Sequence, residues 1–113
     1  MKLREIQKKL NLNVLTAQDH METEVHSAYT SDLLSDVMAH AQGGTLWITL
    51  QTHQNVIAVA KLKELAGVIL VNNREPEEET RNKAEEENVP LLTTSENAFH
   101  ISGKLYRLLG IEK

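Results

Sequence analysis

The sequence predicts a small three-layer α/β domain, a mainly parallel sheet of four to five strands with helices on both faces. Three observations carry that expectation. From residue 24 onward, strand-like and helix-like segments alternate four times, and right-handed crossovers turn such an alternation into a largely parallel sheet. The segment Gly67-Val68-Ile69-Leu70-Val71 is apolar throughout, as a strand must be when helices cover both its faces. Cap-type residues (Thr, Ser, Asp, Asn) stand after each strand-like segment, where a following helix needs side chains to satisfy its first amides.

The elements follow in order. Leu3, Ile6 and Leu10 have helical spacing, so residues 2–10 read as a short amphipathic helix that Asn11 and Asn13 end. Residues 13–24 are polar and carry no clear period. Glu24 to Tyr29 reads as a strand. Thr30, Ser31 and Asp32 then cap a helix whose apolar stripe is Leu33, Leu34, Val37, Met38 and Ala41, stopped by Gly43-Gly44. Thr45 to Leu50, rich in β-branched and aromatic residues, is the next strand, and it places Trp47 in the core.

Asn55 to Ala66 forms a helix with Ala58, Val59, Leu62, Leu65 and Ala66 on one face. Val56, Ile57 and Ala60 widen its apolar surface beyond one stripe, which means either deep burial or contact with another chain. In so small a domain the expectation is a partner, so these three residues are the candidate interface. Gly67 to Val71 follows as a strand. Pro76 then opens a polar helix to about Asn88, with Glu77, Glu78 and Glu79 favouring its N-terminal dipole. Val89 to Thr93 is the last strand, and Pro90 at its start suggests an edge position. Ser95 caps a final helix carrying Ala98, Ile101, Leu105, Leu108 and Leu109 as its apolar positions, with Tyr106 read as packing.

Composition sets the limits. The 113 residues suit one domain, 1–113, with 41% hydrophobic and 25% charged residues. A net charge of -4 argues against nucleic acid, which asks for a basic stripe. Lys2, Arg4, Lys8 and Lys9 on the first helix read as a solvated face. With no cysteine there is neither disulfide nor thiolate metal site. The start of the chain carries no apolar signal core and no run approaches the ~20 residues that cross a bilayer, so a cytoplasmic location is expected, with no membrane contact.

Ligands of open parallel sheets bind beyond the carboxyl ends of the strands, where helix N-termini also point. The candidate ligand-binding residues are therefore Thr52, His53, Gln54 and Asn55 after the second strand, Asn72, Asn73 and Arg74 after the third, and Thr94 after the fourth. Thr30 to Asp32 and Thr93 to Ser95 read chiefly as caps, and Gln51 to Asn55 is richer than a cap requires. Of five histidines only His53 sits at a strand-to-helix turn; His20, His26, His40 and His100 read as ordinary surface or structural residues. No pair has metal-site spacing, and no phosphate loop, dinucleotide fingerprint or nucleophile elbow occurs. No metal, cofactor or catalytic residue is expected.

Residues 45–79, TLWITLQTHQNVIAVAKLKELAGVILVNNREPEEE, and the NVPLLTT strand with its closing helix resemble the DRTGG domain. That family is a small α/β module found beside CBS domains, in some phosphotransacetylases and as stand-alone proteins. The block Asp32 to Met38 extends the likeness towards the stand-alone branch. A more distant likeness is to the N-terminal domain of HPr kinase/phosphorylase, which helps assemble that oligomer. The chain departs from the name-giving motif: Thr52-His53 stands where the family tends to have Asp-Arg, and Val71-Asn72-Asn73 where it tends to have Thr-Gly-Gly. Asparagine tolerates positive φ, so the turn geometry is expected to persist. The resemblance implies a non-catalytic regulatory module, homodimeric, that senses a small anionic ligand such as a nucleotide or phosphorylated metabolite. The alternative is a pure protein-interaction or oligomerisation domain, and a small enzyme is the weakest reading.

Overall fold

The computed structural model describes residues 1–110. Among these residues five strands, β1 (Asn13–Val14), β2 (Ser27–Thr30), β3 (Thr45–Thr49), β4 (Gly67–Leu70) and β5 (Leu91–Thr93), form one sheet in the order β1-β5-β4-β3-β2. β2 to β5 are parallel, and β1 runs antiparallel to β5 with Asn13 opposite Thr93. The helices are α1 (Leu3–Leu10), α2 (Leu34–His40), α3 (Asn55–Leu62), α4 (Glu78–Glu86) and α5 (Ala98–Leu108). The architecture is the expected one.

Alternation along each strand sends side chains to two cores. Leu46, Ile48, Ile69 and Leu92 face α1 and α5, meeting Leu3, Ile6, Ile101 and Leu105. Trp47, Val68, Leu70 and Leu91 face the other way, against Val37, Val56, Ile57, Ala60 and Ala84 of α2, α3 and α4. Every residue of β3, β4 and β5 is buried, as the unbroken apolar run of β4 requires.

Several expectations are corrected. The first long strand begins at Ser27, not Glu24. Residues 24–26 turn to other partners: Lys2 bridges Glu24, Val25 N donates to the Met1 carbonyl, and His26 N donates to the Gly44 carbonyl. β5 is not an edge strand, because the two-residue β1 pairs along its outer side. Pro90 is tolerated there because it precedes the strand and needs only its carbonyl, which accepts from Val68 N. Leu33 is the N-cap of α2 and is 63% exposed, and Met38 is also exposed, so the buried stripe of this helix reduces to Val37 and Ala41 with Leu34 half-buried.

The candidate interface on α3 is corrected as well. Val56, Ile57 and Ala60 are buried in the chain's own core. α3 lies between α2 and α4 with the sheet beneath it, so a second apolar face has its partners within the chain. Its open side carries Ala58, Lys61 and Leu62, the last 68% exposed.

Candidate functional site at the carboxyl edge of the sheet

Because β2 to β5 are parallel, the loops 31–33, 50–54, 71–77 and 94–97 all leave one edge of the sheet. The helices after β2, β3 and β4 return over one face, and α5 returns over the other. The switch therefore falls between β4 and β5, and a crevice outside the strand ends is expected at such a point.

Two loops meet there. Asn72 and Asn73 both take left-handed backbone conformations, φ 59° and 57°, so the turn geometry persists without glycine, as asparagine permits. Their amides do not point into solvent. Asn72 N donates to the Glu96 carbonyl and Asn73 N to the Thr94 carbonyl, each at 2.9 Å. These bonds stitch the loop after β4 to the loop after β5. Beside the stitch, on the α1 side, lies a polar cleft of about 360 Å³ bordered by Asn11, Asn13, Asn73, Thr94, Ser95 and Glu96. Thr94 is largely buried, and its hydroxyl accepts from Glu96 N at 3.2 Å.

The loop after β3 is held differently. The Asp32 carboxylate accepts from Thr49 Oγ1 at 2.9 Å and Leu50 N at 2.7 Å, and Gln51 Nε2 donates to the Asp32 carbonyl at 2.8 Å. Asp32 thus clamps the ends of β2 and β3 together and does not cap α2. The Thr52 carbonyl accepts from Glu77 N and, at 2.6 Å, from Thr80 Oγ1, tying this loop to the start of α4. His53 is exposed, and its Nδ1 accepts from Asn55 N at 3.1 Å, a local cap on the first turn of α3.

The structure therefore brings Asn72, Asn73 and Thr94 into direct contact. Arg74 is exposed on the same loop. Thr52, His53, Gln54 and Asn55 lie along the same edge but do not border the polar cleft; Thr52 is tied to the first turn of α4 instead. Charge around the edge is mixed. Arg74 and the N-termini of α3, α4 and α5 favour anions, while Glu75, Glu77, Glu78 and Glu79 oppose them. Glu96 is bonded at both carboxylate oxygens by Lys104 Nζ at 2.7 Å, so the cleft itself is close to neutral.

A further polar cluster lies near the open edge strand. Tyr29 Oη donates to Asp36 at 2.9 Å, and His40 Nδ1 lies 3.1 Å from the same carboxylate. Hydrogen bonding by Ser31, then Tyr29 and His40, holds the Asp36 carboxyl below its ordinary range, and the same Asp36 bond pushes the Tyr29 hydroxyl up. This trio fastens α2 to β2. Among the described residues no group of three His, Asp or Glu is placed to hold a metal ion, and no helix is long and apolar enough to cross a membrane.

The face of the sheet covered by α1 and α5 carries further exposed groups. Lys2, Arg4, Lys8 and Lys9 are all exposed, as expected, with Lys2 and Arg4 pairing with Glu22 at the surface. Phe99 is 82% exposed, and its place outside the apolar stripe of the last helix was the available signal.

A five-stranded, mainly parallel sheet with helices on both faces, its loops gathered at one edge, defines an α/β module of the open-sheet kind. The chain belongs to the DRTGG domain family, whose model matches residues 5–108 and so takes in most of α1 as well as residues 45–79 and the last strand and helix. Among solved structures it is similar to the CBS and DRTGG domains of the regulatory region of Clostridium perfringens pyrophosphatase, a structure complexed with the activator diadenosine tetraphosphate. The match has a TM-score of 0.72 at 14% identity over 92% of this chain. The chain spans 45% of that one, which is less than half its length. No curated protein matches the sequence.

Proposed function

We infer that this chain is a non-catalytic regulatory module that senses a small anionic ligand, a nucleotide or phosphorylated metabolite, at the carboxyl edge of its sheet. The observation that carries this is the meeting of the β4 and β5 loops at the switch point, in a chain of the DRTGG family. The similar pyrophosphatase region, which was solved with a nucleotide activator, supports the ligand class. Asn72, Asn73, Arg74 and Thr94 supply the near contacts, and Thr52, His53, Gln54 and Asn55 the far ones. The module works in the cytoplasm as a homodimer and lets the bound ligand bias what it assembles with.

A thermal-shift panel of nucleotides and phosphorylated metabolites tests the reading. Stabilisation grows with ligand concentration, as binding to the native state alone requires, and weakens in Arg74→Ala and His53→Ala. If no compound stabilises the protein, ligand sensing at this edge is abandoned.

A second reading, a pure oligomerisation domain, is favoured by one feature. β2 is the last strand of the sheet, and Leu33 and Met38 are exposed on the helix that follows it. An uncovered edge strand pairs readily with another chain. Light scattering tests this surface: a dimer that Leu33→Asp and Met38→Asp leave intact does not use this edge.

A further inference from the structure

A groove of about 420 Å³ runs between the end of α1 and the length of α5. Its volume lies in the range of small-molecule sites. Three observations concern what it holds. First, Phe99 stands on its wall 82% exposed, although an aromatic ring left in water forgoes one of the larger gains burial offers. Second, Gly103 lies on the same wall in the interior of α5, and a Cβ there would meet nothing within 4 Å. Glycine is among the poorest residues for a helix interior, and here the chain's own packing does not ask for it. Third, the groove gathers Lys9, Lys104 and Arg107, with His100 beside Phe99 at 5.8 Å between ring centroids. Of the three cations only Lys104 has an acidic partner among the described residues, Glu96. This positive strip belongs to a chain whose net charge is -4.

We propose that the α1–α5 groove is a binding site for a small anion bearing a flat aromatic group, the chemistry a nucleotide has. The ring lies against Phe99 over the bare Gly103 backbone, with Leu10 and Leu108 as apolar walls. The anionic group meets Lys9 and Arg107. Aromatic stacking and charge-assisted hydrogen bonds are then used together. The site is separate from the strand-end reading, since none of Thr52 to Asn55 or Asn72 to Arg74 borders it; Leu10 alone is shared with the polar cleft.

Calorimetric titration of the whole chain with ATP, adenosine and inorganic tripolyphosphate tests the proposal. ATP binds, and both fragments bind at least about tenfold more weakly, because each forgoes either the stack or the charge. Phe99→Ala, Arg107→Glu and Gly103→Leu each weaken ATP by about tenfold with unchanged circular dichroism, since all three positions are exposed. Leu62→Asp, exposed on α3 and outside both the groove and the strand-end edge, leaves ATP binding unchanged. The proposal is overturned if ATP does not bind at millimolar concentration, if tripolyphosphate binds as tightly as ATP, or if the three groove variants bind ATP normally. ATP binding lost in His53→Ala and kept in Phe99→Ala would leave the strand-end site standing and remove this one.

Discussion

Beyond β1 the buried Thr16 side chain helps fasten the N-terminal segment to the sheet, and Thr16→Val measures that fastening. After the two-residue β1, Leu15 N donates to the Leu91 carbonyl, and then the Thr16 hydroxyl takes over from the main chain. Thr16 Oγ1 donates to the Val89 carbonyl at 2.7 Å and accepts from Leu91 N at 3.0 Å. The residue is 1% exposed, so water does not replace these bonds. Valine keeps the shape and removes both partners, leaving one buried carbonyl and one buried amide unmet. At roughly 1–3 kcal/mol for each unsatisfied group, the expected cost for the two is about 2–6 kcal/mol. Thr16→Ser keeps both bonds and gives up only a methyl, for about 1 kcal/mol. Urea unfolding followed by Trp47 fluorescence reads both, because this sole tryptophan is fully buried in the sheet. A Thr16→Val variant within about 0.5 kcal/mol of wild type, or no less stable than Thr16→Ser, would refute the reasoning.

Two more predictions follow from burial and charge. Ile57→Ala loses about 2–5 kcal/mol at any protein concentration because the side chain lies in the chain's own core, whereas Leu62→Asp on the open side of α3 stays within about 0.5 kcal/mol of wild type; a concentration-dependent loss in Ile57→Ala would contradict this. Asp36 has its carboxyl held down in the native state by Ser31, Tyr29 and His40, so the stability it contributes is present above its unfolded value near ~4 and is lost as pH falls through the lowered native value. Thermal midpoints of Asp36→Asn therefore lie below wild type at neutral pH and converge with it in acid, and a gap that persists into acid would count against the linkage.

The parallel sheet was legible because its evidence is local. The apolar run of β4 and the β-branched run of β3 each announce a strand, and the turn residues between them mark the helices. β1 was not legible, since two residues carry no period. Missing it made β5 look like an edge and Pro90 look like the reason. The apolar breadth of α3 is visible in the sequence as more than one stripe, but the choice between core and partner depends on where α2 and α4 come to lie, which no local pattern reports. At the site, the pairing of Asn72 and Asn73 with Glu96 and Thr94 joins loops more than twenty residues apart. The turn chemistry of the asparagines was visible; their bonding partners were not.

That bonding changes how an anion can be held at the strand ends. Successive amides in a left-handed turn form a concavity that suits phosphate when they are free. Here both amides are already committed to carbonyls across the crevice. A ligand at this edge must therefore either use side chains alone, Asn72, Asn73 and Arg74 among them, or part the two loops and take the amides for itself. Parting them forfeits two hydrogen bonds of about 1 kcal/mol each, a cost that charge-assisted bonds to a phosphate can offset. In the second case the loop after β4 separates from the loop after β5, and ligand binding becomes a displacement at the first turns of α4 and α5. Hydrogen exchange decides between the two. Ligand that uses side chains alone leaves the Asn72 and Asn73 amides as protected as before, whereas ligand that opens the stitch changes both together.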